Sequence, residues 1–122
     1  MLAWVDRLRA GGHEAYLDAH PDLADRLRIL EQQGRRHRAE REAAAGEYER
    51  CGDTYLGVYD SDPAQHGADE VLYSAAVCYE SAGLLEPAIQ VLQRLVKMVD
   101  SPMARPAIAR LARAYAAIAD YS

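Results

Sequence analysis

Apolar positions in residues 68–122 recur with the period of an α-helix. The first run follows the spacing i, i+3, i+4, i+7, i+8, i+11 and i+14 from Ala68 to Ala82, which is one face of a helix of about four turns. Similar runs follow at 88–99 and at 104–118. Gly83 and the stretch 100–102 (DSP) separate them. Connections this short place consecutive helices antiparallel, so the pattern predicts three antiparallel helices.

The sequence before residue 68 has a weaker helical pattern. Leu23, Leu27 and Leu30 recur at spacings of four and three after the boundary at His20-Pro21, and Gly34 is the expected end of that helix. Residues 44, 48, 51, 55 and 58 form one further stripe, and the turn-forming residues 60–67 predict a loop. The expected organisation is an irregular helical segment at 1–34, a long helix plus loop at 35–67, and a helical array at 68–122.

The predicted helical array at 68–122 contains an internal repeat. Tyr79 and Tyr115 lie 36 residues apart, and Leu72 and Ile108 match at the same offset. A period in the mid-thirties built from helix–turn–helix units is typical of a helical solenoid, because one hairpin cannot bury its apolar stripe alone. An ordinary helical bundle with coincidental spacing is the alternative.

With these residues the sequence resembles the tetratricopeptide repeat (TPR) family. One full repeat covers about 69–104, and a second begins near 105 and stops after its first helix. Ala76 and Leu95 depart mildly from the family pattern, and Pro102 stands two residues late. The positions that match the family's packing residues are Leu72, Ala75, Ala76, Tyr79, Ala88, Leu92, Leu95, Ile108, Leu111, Ala112 and Tyr115.

The resemblance implies an all-α fold in which antiparallel helical hairpins stack as a TPR-like α-solenoid. It implies a non-catalytic scaffold whose concave face binds a protein or peptide. The stretch 100–104 also resembles the inter-repeat link of bacterial cell-envelope TPR proteins, which points to cell-envelope assembly or motility machinery. Because the given sequence starts and stops within helical patterns, we expect it to be a fragment of a larger bacterial protein. By position, the concave face comprises Glu70, Tyr73, Val77, Glu80, Ala109 and Arg113.

Two other functions remain open at this point. The chain could be a structural module that self-associates into a homo-oligomer through exposed apolar stripes. It could also be the helical domain of a multidomain enzyme or regulator whose catalytic part lies elsewhere.

Composition favours a helical fold and excludes two classes of partner. Ala and Leu together number 36 against 12 for Val, Ile and Thr, which favours helices over strands. The net charge of −5 argues against nucleic acid as a partner. No apolar run approaches the ~18 residues of a membrane span, so no direct membrane insertion is expected.

The sequence contains no motif that predicts catalysis, a metal or a cofactor. His13, His20, His37 and His66 lack ligand spacing, so the expected role of the chain is not enzymatic. A local basic cluster has two interpretations: a site for an anionic partner, or a solvated helix face neutralised by nearby glutamates. Its members are Arg35, Arg36, Arg38 and Arg41.

Cys51 and Cys78 are the two cysteines of the chain. If the helices that contain them form an antiparallel hairpin, the two residues lie at similar heights, because each residue adds ~1.5 Å along a helix. They can form a disulfide, or remain two buried thiols that act as small hydrophobic side chains. A bridge would imply an oxidising compartment, which favours a periplasm or cell envelope over a cytoplasm. Without it the compartment stays undefined.

Overall fold

The computed structural model describes residues 20–121, and its regular structure there consists of five helices without a strand. The predicted all-α class is therefore confirmed for this part of the chain. A helix expected near Trp4, Val5 and Leu8 lies outside the described residues. The helices are α1 (Pro21–Ala44), α2 (Tyr48–Ser61), α3 (Ala68–Ser81), α4 (Leu85–Val96) and α5 (Ala104–Tyr121).

The chain forms two compact units, residues 1–37 and 38–122, and the boundary falls within α1. In the first unit, the described residues are 20–37. Leu27 and Gln32 are buried there, and Arg35 donates a hydrogen bond of 2.7 Å to Glu31 one helical turn earlier. Residues 38–121, which include the end of α1 and all of α2 to α5, belong to the second unit.

Helix α1 ends at a different glycine from the one that the sequence predicts. It continues through Gly34 and ends at Ala44, so the segment boundary expected between residues 34 and 35 lies inside a helix. Gly46 has a φ of +79°, and the N–H of Glu47 bonds to the carbonyl of Glu42 at 2.8 Å. This left-handed turn satisfies the last carbonyls of α1. A glycine inside a helix lowers the stability of that helix by only about 1 kcal/mol relative to alanine, and the other residues of α1 offset this loss.

The same break divides the long helix expected within residues 35–67. Residues 45–47 form a turn, and α2 begins anew at Tyr48. The apolar stripe at spacings of four and three continues on both sides of the turn, which is why periodicity alone did not reveal the break.

Helix α3 ends in a turn of the same kind as α1. Gly83 has a φ of +77°, and the N–H of Leu84 bonds to the carbonyl of Tyr79 at 2.9 Å. A glycine adopts this left-handed conformation without the steric cost that a Cβ atom would add. The chain therefore reverses within three residues, and α4 packs back on α3.

The main core of the second unit lies between α3 and α4. All seven residues predicted to pack the first repeat are buried in it, together with Val91 and Ala107. Alanines at the contact let the helix axes approach closely, and Tyr79 fills the remaining space with its ring. The predicted residues in this core are Leu72, Ala75, Ala76, Tyr79, Ala88, Leu92 and Leu95.

The packing residues predicted for the second repeat are not all buried. Leu111 packs on the core, but Ile108 is 55% exposed, Tyr115 is 47% exposed and Ala112 is exposed. Helix α5 instead buries its alanine face, formed by Ala104, Ala107 and Ala114. Small side chains allow α5 to approach α4 closely, and within the described residues no later helix covers the opposite face.

Each helix of the second unit packs on the next one in the chain: α2 on α3, α3 on α4 and α4 on α5. Among the helices of residues 20–121, none combines the length and apolar character needed to cross a bilayer.

Candidate partner-binding surface

Arg110 joins α5 to α3. Its Nε donates a hydrogen bond of 2.6 Å to the Tyr73 hydroxyl, and its guanidinium carbon lies 5.1 Å from the centre of the Tyr73 ring. A second guanidinium nitrogen of Arg110 pairs with the Glu80 carboxylate. One side chain of α5 is thereby held at two points about two turns apart on α3, by charge-assisted bonds and a cation–π contact.

Arg110 and Glu80 are both largely shielded from water. The hydrogen bond to Tyr73 raises the pKa of Arg110, and Glu80 reinforces this against the opposing effect of burial. The guanidinium of Arg110 therefore remains charged at every pH at which the protein is folded.

A second link ties α3 to the segment before α5. The Ser101 hydroxyl donates to the Asp69 carboxylate in the first turn of α3, and the same Ser101 oxygen accepts a 3.0 Å bond from the N–H of Met103. The bond between Ser101 and Asp69 fixes the start of α5 near the start of α3.

Four of the predicted concave-face residues lie along α3. Tyr73, Val77 and Glu80 are partly buried, and Glu70 is exposed. On α5, Ala109 and Arg113 are exposed. We call these six residues and Arg110 the α3–α5 face. Within residues 20–121, side-chain bonds connect Tyr73 and Glu80 through Arg110, and none connects Glu70, Ala109 or Arg113 to one another.

The sequence reasoning missed Arg110, although the repeat carried a signal. Ala109 stands one period of 36 residues after Tyr73, and Arg110 is its neighbour. Since Ala109 is the position equivalent to Tyr73, the neighbouring Arg110 is placed to lie over the Tyr73 ring. The exact rotation of α5 decides whether it does so, and that rotation follows from tertiary packing.

A shallow pocket of about 210 Å³ lies at one end of this face. Glu80 of α3, Leu85 of α4, and Arg110, Arg113 and Ala117 of α5 are among its lining residues. The volume is below the ~300 Å³ at which sites for small molecules usually begin, and it is large enough for one side chain of a peptide.

Two side-chain links to α2 hold α3, the first helix of the α3–α5 face, in place. Cys51 and Cys78 form a disulfide, with Cα atoms 5.8 Å apart, and both residues are buried beside Ala39. The Tyr79 hydroxyl donates a 2.6 Å hydrogen bond to Asp53. Burial, followed by this hydrogen bond, raises the pKa of Tyr79 well above its usual range, so the phenol stays neutral and continues to donate.

The arginines of the basic cluster face carboxylates of the protein itself. Arg38 and Arg50 lie 3.8 and 3.9 Å from the buried Glu42 carboxylate, which also accepts a 2.6 Å bond from Thr54. A depression of about 430 Å³ near these residues is lined by Glu47 as well. Within the cluster, Arg35 pairs with Glu31 and Arg38 with Glu42, and for these two arginines the geometry favours a neutralised helix face over a site for an anion.

No group of three or more His, Cys, Asp and Glu side chains within residues 20–121 is arranged to hold a metal ion. His20, His37 and His66 are exposed, and His13 lies outside the described residues.

A scan against protein-family models finds no matching family, and a search of curated proteins finds no similar sequence. The resemblance to TPR proteins therefore stays a prediction that rests on the residues quoted above.

Proposed function

We propose that this chain is a non-catalytic scaffold of the TPR type that binds a protein or peptide segment on the α3–α5 face. The observation that carries the proposal is the bridge from Arg110 to Tyr73 and Glu80. In a stack of hairpins, the first helices of successive repeats stand side by side, and α3 and α5 are the first helices of the two predicted repeats.

The chemistry of the face supports a peptide as ligand. Tyr73 and Val77 offer partly buried apolar surface, and Arg113 offers an exposed charge that pairs with no carboxylate of residues 20–121. Aromatic and arginine side chains are enriched where proteins recognise one another. We expect the bound segment to place an acidic side chain at Arg113 and an apolar one along Tyr73 and Val77.

A peptide library displayed on phage and selected against the full chain tests this. The probe is the selected peptide, and its dissociation constant is measured by calorimetry with the wild type and with Arg113→Glu. Reversing an exposed charge at an interface costs affinity through like-charge repulsion, so we expect binding to weaken by about tenfold or more. A double variant with Tyr73→Ala should bind more weakly still.

Arg26→Glu is the matched control, because it makes the same change of charge at an exposed position on α1. It should leave the dissociation constant unchanged. Selected peptides that bind Arg113→Glu and the double variant as tightly as the wild type would refute the assignment of this face. Circular dichroism establishes that each variant remains folded.

A further inference from the structure

The pocket at the end of the α3–α5 face has an apolar part and a charged part. Leu85, Ala114 and Ala117 form the apolar part. Ala114 is buried, and Leu85 and Ala117 are partly buried, so this part of the lining is already partly shielded from water. A side chain that enters the pocket therefore has apolar neighbours on both α4 and α5.

The charged part of the pocket has one positive charge in excess. Glu80 and Arg110 line it, and their opposite charges pair with each other. Arg113 also lines the pocket, is exposed and pairs with no carboxylate of residues 20–121. Two arginines and one glutamate leave a net charge of +1 in the lining. The pocket therefore attracts a negatively charged group, and Arg113 is the side chain left to receive it.

The spacing of the two parts along α5 decides which pair of side chains can fill them together. Arg113 and Ala117 stand one turn apart on the same side of α5, and four residues of helix span ~6 Å. In an extended peptide, residues i and i+2 point to the same side and lie about 6.6 Å apart. An extended segment can therefore place one side chain at Arg113 and the next but one at Ala117, while the residue between them points away.

We infer, on the basis of the proposed function, that this pocket anchors the bound segment by taking an aliphatic side chain two positions from an acidic one. The partner is thus a protein segment with the pattern acidic–any–aliphatic, read in either chain direction. A pocket of about 210 Å³ is smaller than the sites of small ligands, so it holds one side chain while the rest of the segment lies along the face.

Peptides test this without any change to the protein. The probe is the peptide selected on phage against the full chain, together with three forms in which alanine replaces the acidic residue, the aliphatic residue or the residue between them. Loss of the charge pairing or of the buried aliphatic side chain should each weaken binding to the wild type by about tenfold. The peptide with alanine in the middle is the control and should bind unchanged. Selected peptides without the acidic–any–aliphatic pattern would overturn the assignment of the pocket.

Ala117→Leu fills the apolar part of the pocket from the side of the protein. It should weaken binding of the selected peptide by about tenfold or more, because the aliphatic side chain of the peptide loses its place. The matched control is Ala116→Leu, which adds the same side chain at an exposed neighbouring position outside the pocket lining. If the two side chains compete for one space, the peptide with alanine at the aliphatic position should bind Ala117→Leu about as well as the unaltered peptide does.

The charge variant separates a failure of the pocket from a failure of the whole face. If Arg113→Glu weakens binding and Ala117→Leu does not, the face binds the peptide and the pocket is not its anchor. If neither variant weakens binding, the pocket and the proposed function both fail. An equal loss with Ala116→Leu and Ala117→Leu also overturns the pocket, because the effect then does not depend on its lining. Circular dichroism of each variant confirms that the helices are retained.

Discussion

Gly52 lies where α2 meets the ring of Tyr79, and the two residues set the distance between α2 and α3. A Cβ atom at Gly52 would come within 2.7 Å of the Tyr79 ring atoms Cδ1 and Cε1. The ring cannot swing aside, because it is buried in the core and its hydroxyl is bonded to Asp53. The absence of a side chain at one position therefore allows the close contact of two helices.

Replacing Gly52 with Ala should destabilise the protein by about 1–3 kcal/mol, because the added methyl group overpacks a filled contact. The matched control is Gly57→Ala in the same helix, where a Cβ atom meets nothing within 4 Å. Ala is the better helix former, so this control should raise stability by roughly 0.5–1 kcal/mol. Urea unfolding of both variants measures the two effects. A Gly52→Ala protein as stable as the wild type would show that α2 and α3 are not held at this distance.

Among the elements, the α2–α3 hairpin is joined most firmly. Besides its packing, it has the Tyr79–Asp53 hydrogen bond and the disulfide between Cys51 and Cys78. The bridge closes a loop across a sequence separation of 27 residues, and this loop contains the whole turn between the two helices. The bridge therefore reduces the conformational freedom of the unfolded chain, and it also links α2 to α3 in the folded protein.

Removing the bridge with the double substitution Cys51→Ala and Cys78→Ala should lower the free energy of unfolding by about 3–4 kcal/mol, the loop-closure value for a loop of this length. Urea unfolding of wild type and variant without reductant gives the difference. With reductant present throughout unfolding and refolding, the wild type should lose most of its advantage. Two thiols that alkylate in the denatured, unreduced wild type would contradict the bridge itself.

Across residues 38–121 the helices pack in chain order, and each relies mainly on its immediate neighbours. In such an arrangement local stability varies along the chain instead of being shared equally. The α2–α3 hairpin carries a covalent link, whereas α5 packs on α4 and reaches α3 through Arg110. The two ends of this unit should therefore differ in stability.

Native-state hydrogen exchange should reveal this difference. At low protein concentration, amides of α2 and α3 should exchange most slowly, those of α4 next, and those of α5 fastest. Arg110→Met removes the bonds to Tyr73 and Glu80, and it should speed exchange in α5 while leaving α2 unchanged. Equal protection in all four helices would instead indicate a single cooperative core, as in a closed helical bundle.

The sequence by itself determined the helical class and the inward face of the first repeat. Period and composition were sufficient there, because the large apolar side chains Leu72, Tyr79 and Leu92 fall on the faces at which α3 and α4 pack together. The sequence also predicted the glycine that ends α3, since Gly83 interrupts an otherwise regular stripe. These are local properties, and each follows from the residues of one element.

Tertiary structure alone decided which glycine ends α1 and which face of α5 is covered. The sequence predicts Gly34 as the end of the first helix, and only the folded chain places Gly46 in the left-handed turn. On α5, the larger side chains of Ile108 and Tyr115 predicted an inward stripe, yet the alanine face packs on the core. Hydrophobicity ranks the faces of an isolated helix, whereas the shape of the neighbouring helix selects the one that fits. Arg110 reaches Tyr73 because of that selection.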